Sequence, residues 1–150
     1  MRALVQRVKE SGVSVAGELV NNIGRGLLIL LGVKQNDNDE AAKYLAQRCS
    51  CLRIFEDRQG KMNLSVKDID GEILVISQFT LYADTRRGNR PGFTDAADPV
   101  LAEKLYEKFV GYLRIEMGDE KVKTGIFRKM MDIQLINEGP VTIMLESKES

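Results

Sequence analysis

Two short segments of this sequence place small polar side chains at the ends of apolar runs. The first is Ser77-Gln78-Phe79-Thr80-Leu81, and the second, about 60 residues later, is Asn137-Glu138-Gly139-Pro140-Val141-Thr142. The chain contains no histidine, which is the usual side chain for proton transfer near neutral pH. An enzyme built on this sequence must therefore work through backbone groups, hydroxyls or the substrate itself.

The first segment follows Ile73-Leu74-Val75-Ile76, an apolar run that predicts a strand buried on both faces. The hydroxyl, amide and free N–H groups at its end could stabilise an oxyanion, and Thr80 could act as a nucleophile or orient water. Alternatively, Ser77 and Gln78 satisfy backbone groups at the strand end. The residue types alone favour this second interpretation, because no base for Thr80 is recognisable.

The second segment contains a Gly-Pro bond, and a bond before proline can be cis at a cost of only about 0.5–1 kcal/mol. Such bonds are nevertheless cis in only about 5–6% of cases in folded proteins. The residue types alone therefore favour an ordinary turn, with Pro140 as the first residue of a strand.

Two basic segments could contact phosphates. The first is a loop that contains Arg86, Arg87 and Arg90. The second is a stretch that contains Lys121, Lys123, Arg128 and Lys129. A solvated surface with its charges balanced elsewhere is an equally weighted alternative. Arg7 differs from both, because it lies in an alternating strand and must have partners if it faces inwards.

The composition limits the classes of protein that this sequence can encode. A chain of 150 residues predicts one domain, and 22 basic against 22 acidic residues argue against a binder of nucleic acid through bulk charge. There is no apolar run of 18 residues, and the N-terminal segment lacks the features of a signal peptide. Cys49 and Cys51 fit buried free thiols in a reducing cytoplasm better than a disulfide or a metal site, so we expect neither metal nor cofactor.

The predicted fold is an α/β domain with a mostly antiparallel, strongly curved, barrel-like sheet and two main helices. About seven strands are expected, two of them late strands joined through Gly139-Pro140. A capping box formed by Asp37 and Glu40 predicts a helix over about residues 38–51, and Asp98-Pro99 opens the second helix. Residues 82–95 are expected to form a long loop, and residues 147–150 a loose tail of the single domain 1–150.

Taken together, these residues resemble the D-aminoacyl-tRNA deacylase (D-Tyr-tRNA deacylase) family over nearly the whole chain. The two polar segments, in this order and context, are the most specific part of the match. The resemblance also includes Leu4-Val5-Gln6-Arg7-Val8, the strand Gly26 to Val33, Gly60-Lys61-Met62-Asn63-Leu64 and Arg87-Gly88-Asn89-Arg90-Pro91.

The resemblance implies hydrolysis of the ester between a D-amino acid and the terminal adenosine of tRNA, with glycine also cleaved to some degree. It implies a cytoplasmic homodimer in which a cis Gly139-Pro140 forms a chirality filter in the partner's pocket. The pocket would be lined by Ser77, Gln78, Phe79 and Thr80. The substrate-binding set would add Asn137, Val141, Thr142 and Arg7, and Arg7 would help to hold the loop. Thr80 would be the nucleophile in one view of the family; the tRNA 2′-hydroxyl drives catalysis in the other, which the missing histidine favours.

The sequence departs from the family pattern at a few positions. Arg128-Lys129-Met130 stands where the family usually has small residues and an acid, Glu138 replaces a common Asp, and Gly92 a common Ser. The first departure puts local tRNA contacts in question, whereas the motif positions are intact. We expect the tRNA to be bound through a local patch formed by Arg86, Arg87, Arg90, Lys121 and Lys123. The alternatives left open are an editing hydrolase for a mischarged L-aminoacyl-tRNA and a non-catalytic RNA-binding barrel.

Overall fold

The computed structural model describes residues 1–148, which form eight strands, two α-helices and two short 3-10 helices. The strands are β1 (Arg2–Val15), β2 (Glu18–Ile23), β3 (Gly26–Gly32), β4 (Phe55–Glu56), β5 (Met62–Leu64), β6 (Glu72–Ser77), β7 (Val122–Thr124) and β8 (Asp132–Glu146). The α-helices are α1 (Asp39–Ser50) and α2 (Pro99–Met117), and the 3-10 helices span Phe79–Tyr82 and Asp119–Lys121.

The main sheet has the order β2-β1-β3-β6-β7, with β8 paired to the central strand β1. β1 runs antiparallel to β2, β3 and β8, whereas the β3–β6 and β6–β7 pairs are parallel. The sheet curls because the first half of β1 pairs with β3 and its second half with β2. The predicted curved α/β fold with two helices is confirmed, and the parallel pairs lie beside the strand that carries Ser77.

The continuous apolar runs of β3 and β6 arise because both strands are buried on two faces. Alternate residues such as Leu27 and Ile73 face a core shared with the two helices. Their neighbours Leu28 and Leu74 face a second, smaller core inside the curl of the sheet. Side chains on both faces of β6 therefore fix the position of its carboxyl end, where Ser77 lies.

The predicted start is confirmed for α2, whereas the predicted cap of α1 is wrong. Asp98 caps α2 and Pro99 is its first residue, as the sequence indicated. The predicted capping box at Asp37 is wrong, because Asn38 is the residue whose side chain accepts from the N–H of Ala41. Asp37 instead accepts from the amino group of Met1 at 2.8 Å.

The prediction of two separate late strands is wrong, because both segments belong to one strand, β8. Both halves of β8 pair with β1, so the partner strand keeps them aligned. Gln6 faces Thr142 and Val8 faces Asn137, which leaves residues 138–141 opposite Arg7 alone. Gly139-Pro140 therefore lies in an insertion within a strand rather than in a turn between two strands.

At the C-terminus, Ser147 is anchored: its N–H donates to the carbonyl of Met1 at 2.9 Å. Residues 149 and 150 lie outside the described residues, so the tail stays a prediction for them.

Candidate functional site

The segment Ser77 to Thr80 lies where β6 ends and the chain turns into the short 3-10 helix. The N–H of Gln78 donates to the carbonyl of Leu31 on β3 at 2.8 Å, which extends the pairing one residue past the strand. Gly32 permits the close approach of the 3-10 helix, since a Cβ there would lie 3.2 Å from the carbonyl oxygen of Gln78. The end of β3 therefore fixes the direction in which this segment leaves the sheet.

Several polar groups of this segment face the same strand end. The side-chain amide of Gln78 donates to the hydroxyl oxygen of Thr80. The N–H groups of Phe79 and Thr80, at the start of the 3-10 helix, donate to no other group within residues 1–148. The segment can thus offer hydrogen-bond donors to an oxygen that develops negative charge.

Aromatic side chains contact this segment and the strand that precedes it. Phe79 and Phe93 meet edge to face with ring centroids 5.0 Å apart, and Phe79 is 56% exposed. On the side of α2, the hydroxyl of Tyr106 donates to the carbonyl of Val75 at 2.8 Å, and burial raises the pKa of that phenol. Tyr106 ties α2 to β6, a role that has no signal in the sequence.

The second segment is held by a buried arginine. Arg7 is 5% exposed; its Nε donates to the carbonyl of Glu138 at 3.1 Å and its Nη1 to the carbonyl of Ile54 at 2.7 Å. The expectation that an inward-facing Arg7 must have partners is confirmed. Ile54 could not be identified as one of them from the sequence, because it contributes only a backbone carbonyl.

Asn137 closes the insertion from the other end. Its side-chain oxygen accepts from the N–H of Val141 at 3.1 Å, and its nitrogen donates to the hydroxyl of Thr142 at 2.9 Å. Between these contacts the Gly139-Pro140 bond is cis, as the resemblance implied, and both residues are exposed.

Position 139 admits only glycine. Its φ is +127°, and a Cβ there would lie 2.9 Å from Cγ2 of Val141 and 3.1 Å from Nη2 of Arg7.

The structure does not bring the two segments together within one chain. The register places the insertion opposite Arg7, level with Leu27 and Ile73, four residues before Ser77. The two segments are therefore offset by about 13 Å along the strand direction. Across the sheet they are separated by about 14 Å, the sum of the spacings β8–β1, β1–β3 and β3–β6. No hydrogen bond or ion pair joins the segments within residues 1–148.

Comparison with known proteins identifies the family of this chain. A family model described as D-Tyr-tRNA(Tyr) deacylase matches residues 4–146. The chain belongs to this family.

Named relatives extend over nearly the whole length. Proteins named D-aminoacyl-tRNA deacylase from Thermotoga petrophila and Dictyoglomus turgidum are 57% and 54% identical over 149 residues. The alignments cover 99% of this chain in both cases, and 99% and 94% of the two relatives.

Two solved structures share the fold. One, titled c-Myc DNA Unwinding Element Binding Protein, is 41% identical with a TM-score of 0.95, over 99% of this chain and 100% of that chain. The other, titled as a probable eukaryotic D-amino acid tRNA deacylase, has a TM-score of 0.84 at 19% identity, over 97% of this chain and 98% of that chain, and shows the fold alone.

The basic residues predicted for tRNA contacts lie in two separate places. Arg86, Arg87 and Arg90 lie in the loop beyond the carboxyl end of β3, where Arg86 pairs with Asp84 at 2.8 Å and holds the pKa of that carboxyl well below its usual range. Lys121 and Lys123 lie near the opposite end of β6. Lys121 is 3.2 Å from Asp70, and Lys123 is 3.9 Å from Glu72. The structure therefore does not unite these five residues in one patch.

Neither a metal site nor a membrane span is found in the part of the chain that the structure describes. Residues 1–148 contain no group of three His, Cys, Asp or Glu side chains that could hold a metal ion. No helix among them is long and apolar enough to cross a membrane.

Proposed function

We propose that this chain hydrolyses the ester bond of D-aminoacyl-tRNA, releasing the D-amino acid and free tRNA. The observation that carries the proposal is the family match over residues 4–146, together with the donor-rich end of β6 at Ser77-Gln78-Phe79-Thr80. Attack on an ester carbon places negative charge on the carbonyl oxygen, and N–H groups aimed at that oxygen lower the barrier. The free N–H groups of Phe79 and Thr80 are suited to this role.

In this proposal the attacking water is activated with help from the 2′-hydroxyl of the tRNA rather than by Thr80. The hydroxyl of Thr80 has the side-chain amide of Gln78 as its partner. Neither end of an amide can take up a proton near neutral pH, so Gln78 cannot serve as the base that a threonine nucleophile requires. Gln78 and Thr80 then orient the terminal ribose, and Ser77 and Phe79 line the pocket.

The proposal includes a homodimer in which Gly139-Pro140 enters the pocket of the partner. The separation of the insertion from Ser77 within one chain supports this arrangement, since the two segments can then share a site only across an interface. Partly exposed apolar side chains of β8 could supply area for such an interface, with Leu135 37%, Ile136 48% and Met144 44% exposed.

Discrimination between D and L substrates would come from exclusion. Backbone atoms of Gly139 and Pro140 beside the α-carbon would leave room for a D side chain and collide with an L side chain. Asn137, Val141 and Thr142 would keep the insertion in shape, and Arg7 would fix its carbonyl at Glu138. Glycine has no side chain to collide, so glycyl-tRNA should also be cleaved to some degree.

The proposed location is the cytoplasm. Both cysteines are free, with Cys49 buried and Cys51 exposed, and free thiols fit a reducing compartment.

The test is to incubate the protein with D-tyrosyl-tRNA and with L-tyrosyl-tRNA and to measure the amino acid released. Release from the D substrate alone is the expected result. Release from the L substrate alone would favour an editing hydrolase of opposite specificity, and release from neither would favour a binding protein. Thr80→Trp, which places a bulky side chain in the proposed pocket and is purified in the same way, controls for a contaminating deacylase.

A further inference from the structure

We infer that Arg128 and Lys129 bind phosphates of the acceptor end of the tRNA. They lie on one side of Ser77, and the loop that carries Arg86, Arg87 and Arg90 lies on the other. This inference rests on the proposed function. The two cations lie in a turn that connects β7 to β8.

The register places this turn beside the proposed catalytic segment. Thr124 of β7 lies opposite Val75 of β6 in a parallel pair, so Ile126 lies near the level of Ser77. Neighbouring strands are about 4.8 Å apart, which puts the start of the turn one strand spacing from the end of β6. The ring of Phe127 packs 5.9 Å from that of Tyr106, whose hydroxyl is bonded to Val75.

Contacts at the base of the turn fix its position relative to the end of β6. The N–H of Lys129 donates to the carbonyl of Ile126 at 3.3 Å. At the base, a Cβ on Gly125 would lie 2.6 Å from the sulfur of Met131 and 3.0 Å from Cδ1 of Ile76. Two packed residues thus hold the turn against the end of β6, while the residues at its tip are exposed.

Arg128 occupies a backbone conformation that favours glycine. Its φ is +65°, in the left-handed region, which side chains with a Cβ adopt only at an energetic cost. A glycine would avoid this cost, so a long cationic side chain at the position is an outlier that calls for a function.

The charges of Arg128 and Lys129 are also free. Neither side chain forms an ion pair or hydrogen bond within residues 1–148, in contrast to Lys121 and Lys123 earlier in the same stretch. Exposed unpaired cations attract phosphates and release counterions when they bind them.

A second cationic loop flanks the catalytic segment on its other side. Asp84 and Gly92 close that loop with two backbone hydrogen bonds of 2.7 and 2.9 Å, and Arg87 and Arg90 lie near its tip. Ser77 to Thr80 therefore lie between two closed loops, each presenting free cations. A strand of nucleic acid whose terminal ester reaches Ser77 would have its backbone between them, which is the geometry that phosphate contacts require.

The experiment compares the wild type with the double variant Arg128→Gly, Lys129→Ala. Glycine is the residue that fits φ +65°, so this variant should fold at least as well as the wild type. A matched control, Lys43→Ala with Arg48→Ala, removes the same charge from exposed positions of α1. Each protein is assayed on D-tyrosyl-tRNA and on 3′-D-tyrosyl-adenosine, which lacks the phosphates, and its affinity for uncharged tRNA is measured across a salt series.

The double variant should lose about tenfold in kcat/KM on the tRNA substrate at low salt and nothing on the adenosine ester. Its tRNA affinity should depend less on salt, with a slope of log K against log salt smaller by about 1.4–1.8. The control should match the wild type in both assays. The inference would be overturned if the double variant kept the wild-type salt slope and the wild-type kcat/KM on tRNA. It would also be overturned if kcat/KM fell by the same factor on both esters.

Failure of the proposed function would look different. If no protein cleaves either ester, the deacylase proposal fails, and the salt slope of tRNA binding alone still decides whether Arg128 and Lys129 contact phosphates.

Discussion

Ser77 to Thr80 and Glu138 to Val141 each interrupt the regular pairing of the main sheet, but different contacts hold them. The first follows the carboxyl end of a strand buried on both faces, and β3 sets its direction through a backbone bond from Gln78 to Leu31. The second is an insertion in a strand that continues beyond it, fixed by the side chains of Arg7 and Asn137. Packing of the fold thus positions the first segment, whereas a few polar side chains position the second.

The difference teaches which changes each segment should tolerate. A pocket positioned by the core should survive removal of one exposed side chain. A loop positioned by a buried guanidinium should be sensitive to single substitutions, because losing one partner leaves buried polar atoms unpaired.

Gly139→Ala should have the largest effect on activity, with a loss of about a hundredfold in kcat/KM on D-aminoacyl-tRNA, the cost of displacing a positioning group by about 1 Å. The new Cβ would meet Val141 and Arg7 while φ is +127°. Gly17→Ala is the matched control, since φ there is +81° with nothing within 4 Å of a Cβ. Equal activity in the two variants would show that the conformation of the loop is unimportant for catalysis.

Arg7→Leu should lower the free energy of unfolding by about 2–4 kcal/mol, because the carbonyls of Glu138 and Ile54 and the carboxylate of Glu138 lose a buried partner. Urea denaturation at a fixed protein concentration measures the change. Arg25→Leu is the comparison, since Arg25 is half exposed and lies 3.6 Å from the same carboxylate. Its loss should cost less than about 1 kcal/mol. A similar cost for both variants would mean that burial of Arg7 does not stabilise the insertion.

Thr80→Ala should have the smallest effect, less than about tenfold in kcat, equivalent to the loss of one neutral hydrogen bond. In contrast, tRNA with a 2′-deoxy terminal ribose should not be cleaved by the wild type. Single-turnover rates on both substrates would separate these effects. A loss of a thousandfold or more in Thr80→Ala, with the deoxy substrate still cleaved, would instead identify Thr80 as the nucleophile.

The two segments also differ in how far the sequence predicted their structure. The position of Ser77 at a strand end followed from the apolar run before it, which is long enough to define a buried strand. The insertion in β8 was interpreted as a break between two strands, because Gly139-Pro140 interrupts the alternating pattern and the sequence does not show that β1 pairs with both halves.

Other errors have local causes. Asp37 was chosen as the cap of α1 because it precedes Glu40 by three residues, but Asn38 provides the bond and Asp37 is used by Met1. β7 has only three residues, too few for any periodicity. The turn with Arg128 had no signal for a left-handed conformation, because that conformation usually requires glycine.

Mixing two inactive variants tests directly whether the pocket of one chain uses the loop of another. Gly139→Ala damages the loop and leaves the pocket intact, whereas Thr80→Trp fills the pocket and leaves the loop intact. Half of the dimers in an equal, fully exchanged mixture contain one chain of each kind, and each of these has one intact site out of two. The mixture should therefore recover about one quarter of the wild-type activity. Mixed dimers that form, as native mass spectrometry would show, but stay as inactive as the separate variants would contradict the account.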